Sequence, residues 1–214
     1  MRTGVLALGG GSNLQSLIDN WQGGALAPAE LVVVGANVDG CQALDRAKKA
    51  GIETFLVRHK GFERREDFDR ALAAELKKRE VELVVLAGFM RVLSAAFLDA
   101  FPKRVINIHP ALLPAFPGIH AQKQAFDYGV KVSGCTVHFV DAGTDTGPII
   151  AQAVVPVLPD DTEEALQKRI LVEEHRLLPA VVRAVAAGKV SVEGRRVRVE
   201  PPVAFADGRL RSLA

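Results

Sequence analysis

Cysteine is nearly missing from this chain of 214 residues, which has only Cys41 and Cys135. The two lie far apart with no metal-ligand spacing, so neither a disulfide framework nor a metal site is expected. Neither has a base beside it in sequence, and Cys135 stands in a strand-like run, so both read as small apolar filler. Charge of one sign is missing too. The net charge of +2 demands neither nucleic acid nor an anionic membrane, although the small excess of Lys and Arg suits a phosphorylated or carboxylated small molecule. No apolar run approaches the roughly 20 residues needed to span a bilayer. Met1-Arg-Thr-Gly-Val-Leu6 enters a strand pattern directly, without the long apolar segment and cleavage site of a signal peptide. The cytoplasm is the expected location. Repeats and low-complexity stretches are absent.

What is present is the balance of a globular protein, 49% apolar and 24% charged, at a length that fits one domain with a real core and is short for two. Short β-branched runs alternate with helical patterns. Strands are expected at Thr3–Leu8, Leu31–Ala36, Ile52–Val57, Leu83–Ala87, Val105–Ile108, Gly134–Val140 and Ile149–Val157. Helices are expected at Asn13–Gln22, Gln42–Ala50, Arg64–Arg79 and Thr162–Ala187. Phe68, Leu72 and Leu76 form one apolar stripe; Leu166, Ile170, Leu177 and Leu178 form another, behind a Thr162-Glu-Glu start that resembles a helix cap. Strand–helix alternation predicts a single-domain α/β fold with a doubly wound, mostly parallel sheet, because parallel strands need helical crossovers. Lys189–Val199 alternates around Glu193-Gly194 as a hairpin, and the remainder from Glu200 on is expected to be loosely held.

In such sheets ligands bind beyond the carboxyl ends of the strands. Four segments fall there: Gly9–Asn13, Gly88–Leu93, Asn107–Pro110 and Asp141–Gly147. Gly9-Gly-Gly-Ser-Asn13 joins the first strand to the first helix, where converging backbone N–H groups can hold a phosphate; a plain capped turn is the alternative. Leu14 stands where a dinucleotide fingerprint needs its third glycine, which favours a mononucleotide or sugar phosphate. Asn107 and His109 alternate along a strand and share a face, an amide and an imidazole suited to charge on a carbonyl oxygen. Asp145 could reach that imidazole, favour its charged form and raise its pKa from about 6.5, making a proton donor near neutrality. The Asp145-Thr-Gly text also matches aspartic proteases, but the paired carboxylate and all-β fold they need are lacking. His138 stands between core hydrogen bonding and support of the site. Phe89, Met90, Val92 and Leu93 could wall a pocket for a flat heterocycle, with Arg91 as a cation, though core packing explains the apolar ones equally well. Glu173-Glu174-His175 reads as a solvated helix face.

Gly11-Ser-Asn-Leu-Gln15, Leu86-Ala-Gly-Phe-Met-Arg91, Asn107-Ile-His-Pro-Ala-Leu-Leu-Pro114 and Thr136-Val-His-Phe-Val140 with Asp145-Thr-Gly-Pro-Ile149 together resemble the glycinamide ribonucleotide formyltransferases, folate-dependent enzymes of purine biosynthesis. The Asn-x-His…Asp set marks the wider formyltransferase group, and the Gly-Ser-Asn-Leu opening narrows it. The resemblance runs from Gly4 to about Gly188. It implies a formyltransferase-type Rossmann-like domain over 1–188, with 189–214 as a hairpin and tail packed on the same domain. It implies that Gly11, Ser12 and Asn13 hold the ribonucleotide phosphate, that Leu14 and Gln15 join them in binding the phosphate and sugar, and that Glu174 binds the sugar or glycinamide end. It also implies that Arg65, Met90, Arg91, Val92 and Leu93, with the loop residues Asp141, Ala142, Gly143 and Thr144, bind the folate. Asn107, His109 and Asp145 would be catalytic, with 10-formyltetrahydrofolate as co-substrate, no metal, small-molecule partners only, and a monomer or homodimer. Leu8 and Gly10 depart from a more polar pair usual before Gly-Ser-Asn, and Gly35-Ala36-Asn37 changes a common Ser-Asn; these could alter phosphate affinity or loop stiffness.

The expected reaction is direct attack of the ribonucleotide amine on the formyl carbon. Asn107 donates to the oxyanion, His109 as imidazolium donates likewise or protonates the departing folate nitrogen, and Asp145 holds and charges His109. Three rivals stand beside it. A formyltransferase acting on another amine would carry an extra C-terminal domain, and a 10-formyltetrahydrofolate hydrolase an extra N-terminal one, for which 214 residues leave no room. A nucleotide-sensing module would need only the Gly9–Asn13 loop.

Overall fold

Near-continuous apolar runs such as Leu83–Ala87, buried at every position, are what a parallel strand covered on both faces requires. The structure, a computed structural model, describes residues 1–200. Its elements follow in chain order as β1 (Arg2–Ala7), α1 (Ser12–Gln22), β2 (Glu30–Ala36), α2 (Gln42–Lys49), β3 (Glu53–Leu56), α3 (Arg65–Lys77), β4 (Leu83–Ala87), α4 (Ala95–Leu98), β5 (Val105–His109), α5 (Ala121–Tyr128), β6 (Val132–Phe139), β7 (Ile149–Pro156), α6 (Glu163–Ala186), β8 (Val190–Glu193) and β9 (Arg196–Val199). Seven strands make one mostly parallel mixed sheet in the order β3-β2-β1-β4-β5-β6-β7, and β8-β9 form a separate hairpin. All seven expected strands and all four expected helices are present, each displaced by at most two residues at its ends. The expectation for the tail beyond Glu200 lies outside the described residues. No helix among those described is long and apolar enough to cross a membrane.

The described residues divide into two compact units, with the boundary between Asn107 and Ile108. In the first, β1 pairs in parallel with β2 on one side and β4 on the other, and β4 pairs in parallel with β5. The stripe of α3 is buried as the spacing predicts, with Phe68, Leu72 and Leu76 at most 1% exposed. Gly35 sits opposite Phe55 across the β2–β3 pair, and the ring fills the place a side chain there would take.

In the second unit β6 and β7 are antiparallel, the one such pair in the large sheet among the described pairings, and α6 packs on both. Leu166, Ile170, Leu177 and Leu178 are fully buried, and the Thr162 side chain accepts from the Ala165 N–H at 3.2 Å, so the α6 cap is real. Sequence periodicity did not mark α5, because the only side chains it buries are Ala121 and Ala125, too small to write an apolar stripe. Replacing the cap, Thr162→Ala, is expected to cost about 1 kcal/mol and to lower the urea midpoint without changing the slope of the transition. An unchanged midpoint would mean the capping bond contributes nothing.

Candidate active site

Parallel strands β1, β4 and β5 send their carboxyl ends in one direction, so the loops Gly9–Asn13 and Gly88–Leu93 and the Asn107 end of β5 lie along one edge of the first unit. Gly11 is the residue before α1 and takes a left-handed backbone, φ 67°, and no side chain caps the helix. The first turn therefore turns backbone N–H groups and the positive end of the helix dipole toward the loop. A Cβ on Gly11 would stand 2.8 Å from both the Cα and the Cβ of Ala43, so glycine is required by space as well as by φ. Ser12 and Asn13 are half-buried, Leu14 points into the core, and Gln15 bonds to Arg46 and Asp19. In the second loop Met90 and Val92 are exposed by 72% and 42%, free to touch a ligand, while Phe89 and Leu93 belong to the core. The Arg91 guanidinium lies 5.1 Å from the centre of the Phe68 ring. Buried Asp69 accepts the Ser94 N–H at 2.6 Å and pins the end of this loop. Arg65 is exposed at the first turn of α3.

In the second unit His109 ends β5 with 4% of its surface exposed. Its Nδ1 lies 3.3 Å from Asp145 Oδ2, and its Nε2 lies 2.8 Å from the Phe116 carbonyl. Asp145 Oδ2 accepts the Gly118 N–H at 2.8 Å, and Asp145 Oδ1 lies 3.6 Å from His138 Nε2, whose ring turns its Nδ1 to the Phe139 carbonyl at 2.8 Å. His138 therefore has both of the roles left open above. Phe116, Gly118 and Asp145 all have positive φ, at 54°, 84° and 55°; those turns aim a carbonyl and a carboxylate at one imidazole and an N–H at that carboxylate. None of the backbone partners carries a sequence signal beyond the Pro-Gly at 117–118.

The expected rise in the His109 pKa is not what this surrounding gives. Burial of the ring is the largest influence and lowers the pKa below the ordinary histidine value; the Asp145 charge and the Phe116 carbonyl oppose it only in part, and His138 adds to the lowering. At Asp145 desolvation pushes upward, but bonds from His138 and the Gly118 N–H and the charges of both histidines together hold its carboxyl below the usual range. The site is thus an ionised carboxylate beside a buried, largely neutral imidazole. Both ring nitrogens face acceptors, so a proton arriving on the ring is met on both sides.

Glu173 and Glu174 are each 6% exposed, which overturns the solvated-face reading. They stand three and four residues after Ile170, on the stripe that α6 packs against β6 and β7. Burial pushes the Cys135 thiol well up, and Glu174 and Glu173 push the same way, which sets both carboxylates near β6. In the loop 141–144, Asp141 Oδ1 accepts the Gly143 N–H at 3.1 Å and the Thr146 hydroxyl at 2.6 Å, holding Ala142, Gly143 and Thr144 out as an exposed turn.

Residues 1–182 match the family described as Formyl transferase. The chain is 51% identical over 191 residues to a phosphoribosylglycinamide formyltransferase of Mycobacterium tuberculosis, covering 89% of this chain and 87% of that one. It is 50% identical over 188 residues to the trifunctional purine biosynthetic protein adenosine-3 of Drosophila melanogaster, where it spans 87% of its own length and 14% of the fly protein. The crystal structure of glycinamide ribonucleotide transformylase 1 from Symbiobacterium toebii superposes with a TM-score of 0.91 at 50% identity, covering 93% of each chain.

The ring resonances of His109, followed across pH, are expected to titrate below about 6.5. Asp145→Asn is expected to move that midpoint further down, since it removes the charge that opposes burial. A folded-state value below the unfolded one also means that this histidine's share of stability is full above about pH 6.5 and drains as pH falls beneath it. A midpoint above 6.5 in the unaltered protein would contradict both statements.

Proposed function

The chain belongs to the formyl transferase family, and on that premise we propose that it transfers the formyl group of 10-formyltetrahydrofolate to the amine of 5'-phosphoribosylglycinamide, a step of purine biosynthesis. The observation that carries this reading is the buried His109–Asp145 pair at the end of the same strand that carries Asn107. The Gly11–Asn13 start of α1 is assigned to the phosphate of the ribonucleotide, with Leu14 contributing only its backbone. Glu174 is assigned to the sugar or glycinamide end. Exposed Met90 and Val92, with Arg65, Arg91 and the loop 141–144, are assigned to the folate. Residues 1–188 are assigned as the formyltransferase domain. The activity is placed in the cytoplasm and uses small molecules only.

One proton must move during the exchange. The amine nitrogen attacks the formyl carbon, the carbonyl pair moves to oxygen, and the nitrogen becomes cationic. Asn107 is assigned to donate its amide N–H to that oxyanion. A neutral, buried His109 is suited to take the proton from the new ammonium centre, becoming an imidazolium that Asp145 and the Phe116 carbonyl stabilise. The same proton then goes to the folate nitrogen as the carbon–nitrogen bond breaks, and the ring returns to its starting state. This differs from a histidine already charged at rest, and the direction of the pKa shift supports it.

Asn107→Ala is expected to lower kcat by about 10²–10³ with little change in KM, since the bond it removes is made to the oxyanion. Asp145→Ala is expected to lose kcat on a similar scale. Near-wild-type turnover in both would sink the assignment. Following folate absorbance with and without the ribonucleotide decides the reaction class. Turnover that needs the ribonucleotide is the expected result, turnover without it would identify a hydrolase, and none would favour a binding module.

A further inference from the structure

We propose that Arg46 is a positioning residue that fixes the direction of the Gly10–Gly11 peptide, and thereby makes the loop present an N–H rather than a carbonyl to a bound phosphate. The proposal rests on the assignment of the phosphate to Gly11–Asn13. Three glycines in a row, Gly9 to Gly11, bring no side chain to bias the backbone, and Gly9 and Gly10 are exposed. A Cβ built on Gly9 would meet nothing within 4 Å, so packing does not clamp that side of the loop. A peptide unit between two glycines can rotate at low cost unless something holds it.

Arg46 supplies the hold. Its Nε donates to the Gly10 carbonyl at 2.7 Å, and its Nη1 donates to Gln15 Oε1 at 2.9 Å. Gln15 in turn donates from Nε2 to Asp19 Oδ1 at 2.8 Å, so the acceptor of the guanidinium is itself oriented. In a trans peptide the carbonyl and the following N–H point in opposite directions. With the Gly10 carbonyl turned toward α2, the Gly11 N–H is turned away from it. Rotation of that peptide would put the negative end of a dipole where the positive end stood. Ala43 and Arg46 are three residues apart and share one face of α2: the first sets how closely Gly11 approaches, and the second sets which way its peptide faces. Gly10, the departure that could soften the loop, is thus the residue whose carbonyl Arg46 holds.

The test uses the full chain with Arg46→Met and Arg46→Lys, and inorganic phosphate as the probe. Phosphate affinity is read by calorimetric titration and the Gly11 amide by ¹⁵N NMR; steady-state kinetics follow with the ribonucleotide. Arg46→Met is expected to weaken phosphate binding roughly tenfold or more and to raise the ribonucleotide KM by the same factor, with kcat within about twofold. The Gly11 amide should then lose its response to saturating phosphate. Arg46→Lys keeps a donor for the Gly10 carbonyl and should preserve that response with a loss of at most a few fold. Wild-type phosphate affinity in Arg46→Met overturns the proposal. So does weakened affinity with the amide response intact, because charge alone would then explain the loss. If the unaltered protein does not bind phosphate, the assignment of the loop fails and takes this inference with it. Should Arg46→Met not fold, Arg46→Gln is the second variant: its shorter side chain does not reach the Gly10 carbonyl as the guanidinium does. It is expected to show the same loss of phosphate affinity and of the Gly11 amide response, and wild-type affinity there overturns the proposal.

Discussion

Burying an imidazole has a cost, because any proton it takes up is a charge carried where water cannot help it. The carboxylate of Asp145 answers that cost. One of its oxygens takes the Gly118 N–H and faces His109, and the other faces His138. These partners keep the carboxyl ionised in spite of its own desolvation. An ionised carboxylate at 3.3 Å is in turn what allows His109 to accept a proton at all. Remove it and the imidazolium would be an uncompensated buried cation, which proteins avoid by giving up the proton. The left-handed turns at Phe116 and Asp145 follow from the same demand, because a carbonyl and a carboxylate must reach one ring from two loops.

How much of this could be read beforehand depends on whether the information is carried by side chains. The helix stripes of α3 and α6 were legible because large apolar residues recur at helical spacing, and each is buried. Helix α5 was not, because alanines write no stripe. Glu173 and Glu174 could have been read as buried, since they fall on the Ile170–Leu177 stripe, but their charge suggested solvent. The pairing of His109 with Asp145 was legible as a polar residue at a strand end and another in a loop between two strands. Its electrostatics were not, because burial is a sum over residues distant in sequence, and burial set the sign of the pKa shift. The Phe116 carbonyl and the Gly118 N–H are backbone groups, available at every residue, and only the turn geometry selects these two.

The Gly9–Asn13 loop shows the converse economy. As a proposed phosphate site it would bind through backbone groups, so its sequence consists of what must be absent: side chains at Gly9 and Gly10, and a Cβ at Gly11 against Ala43. Such a loop gains closeness to an anion and loses conformational definition. Definition has to be restored from outside, by a neighbour that packs and bonds without entering the site. Helix α2 does both, through Ala43 and Arg46.

A covalent route would need a nucleophile, and the two cysteines are poor ones. Cys135 is fully buried in β6, and both burial and the carboxylates of Glu174 and Glu173 push its thiol upward, away from the reactive thiolate. Cys41 is 6% exposed, with its sulfur facing the Ala7 and Gly9 carbonyls. An acyl group moving from one nitrogen to another does not need such an intermediate when the attacking amine is itself the nucleophile. What it needs is an oxyanion donor and a carrier that lifts one proton from the incoming nitrogen and gives it to the outgoing one. A base that is neutral at rest and stabilised once charged meets the second requirement in both directions. In the proposed reaction the lowered pKa of His109 and the ionised Asp145 beside it would be two halves of one device, with burial keeping the ring empty and the carboxylate letting it fill.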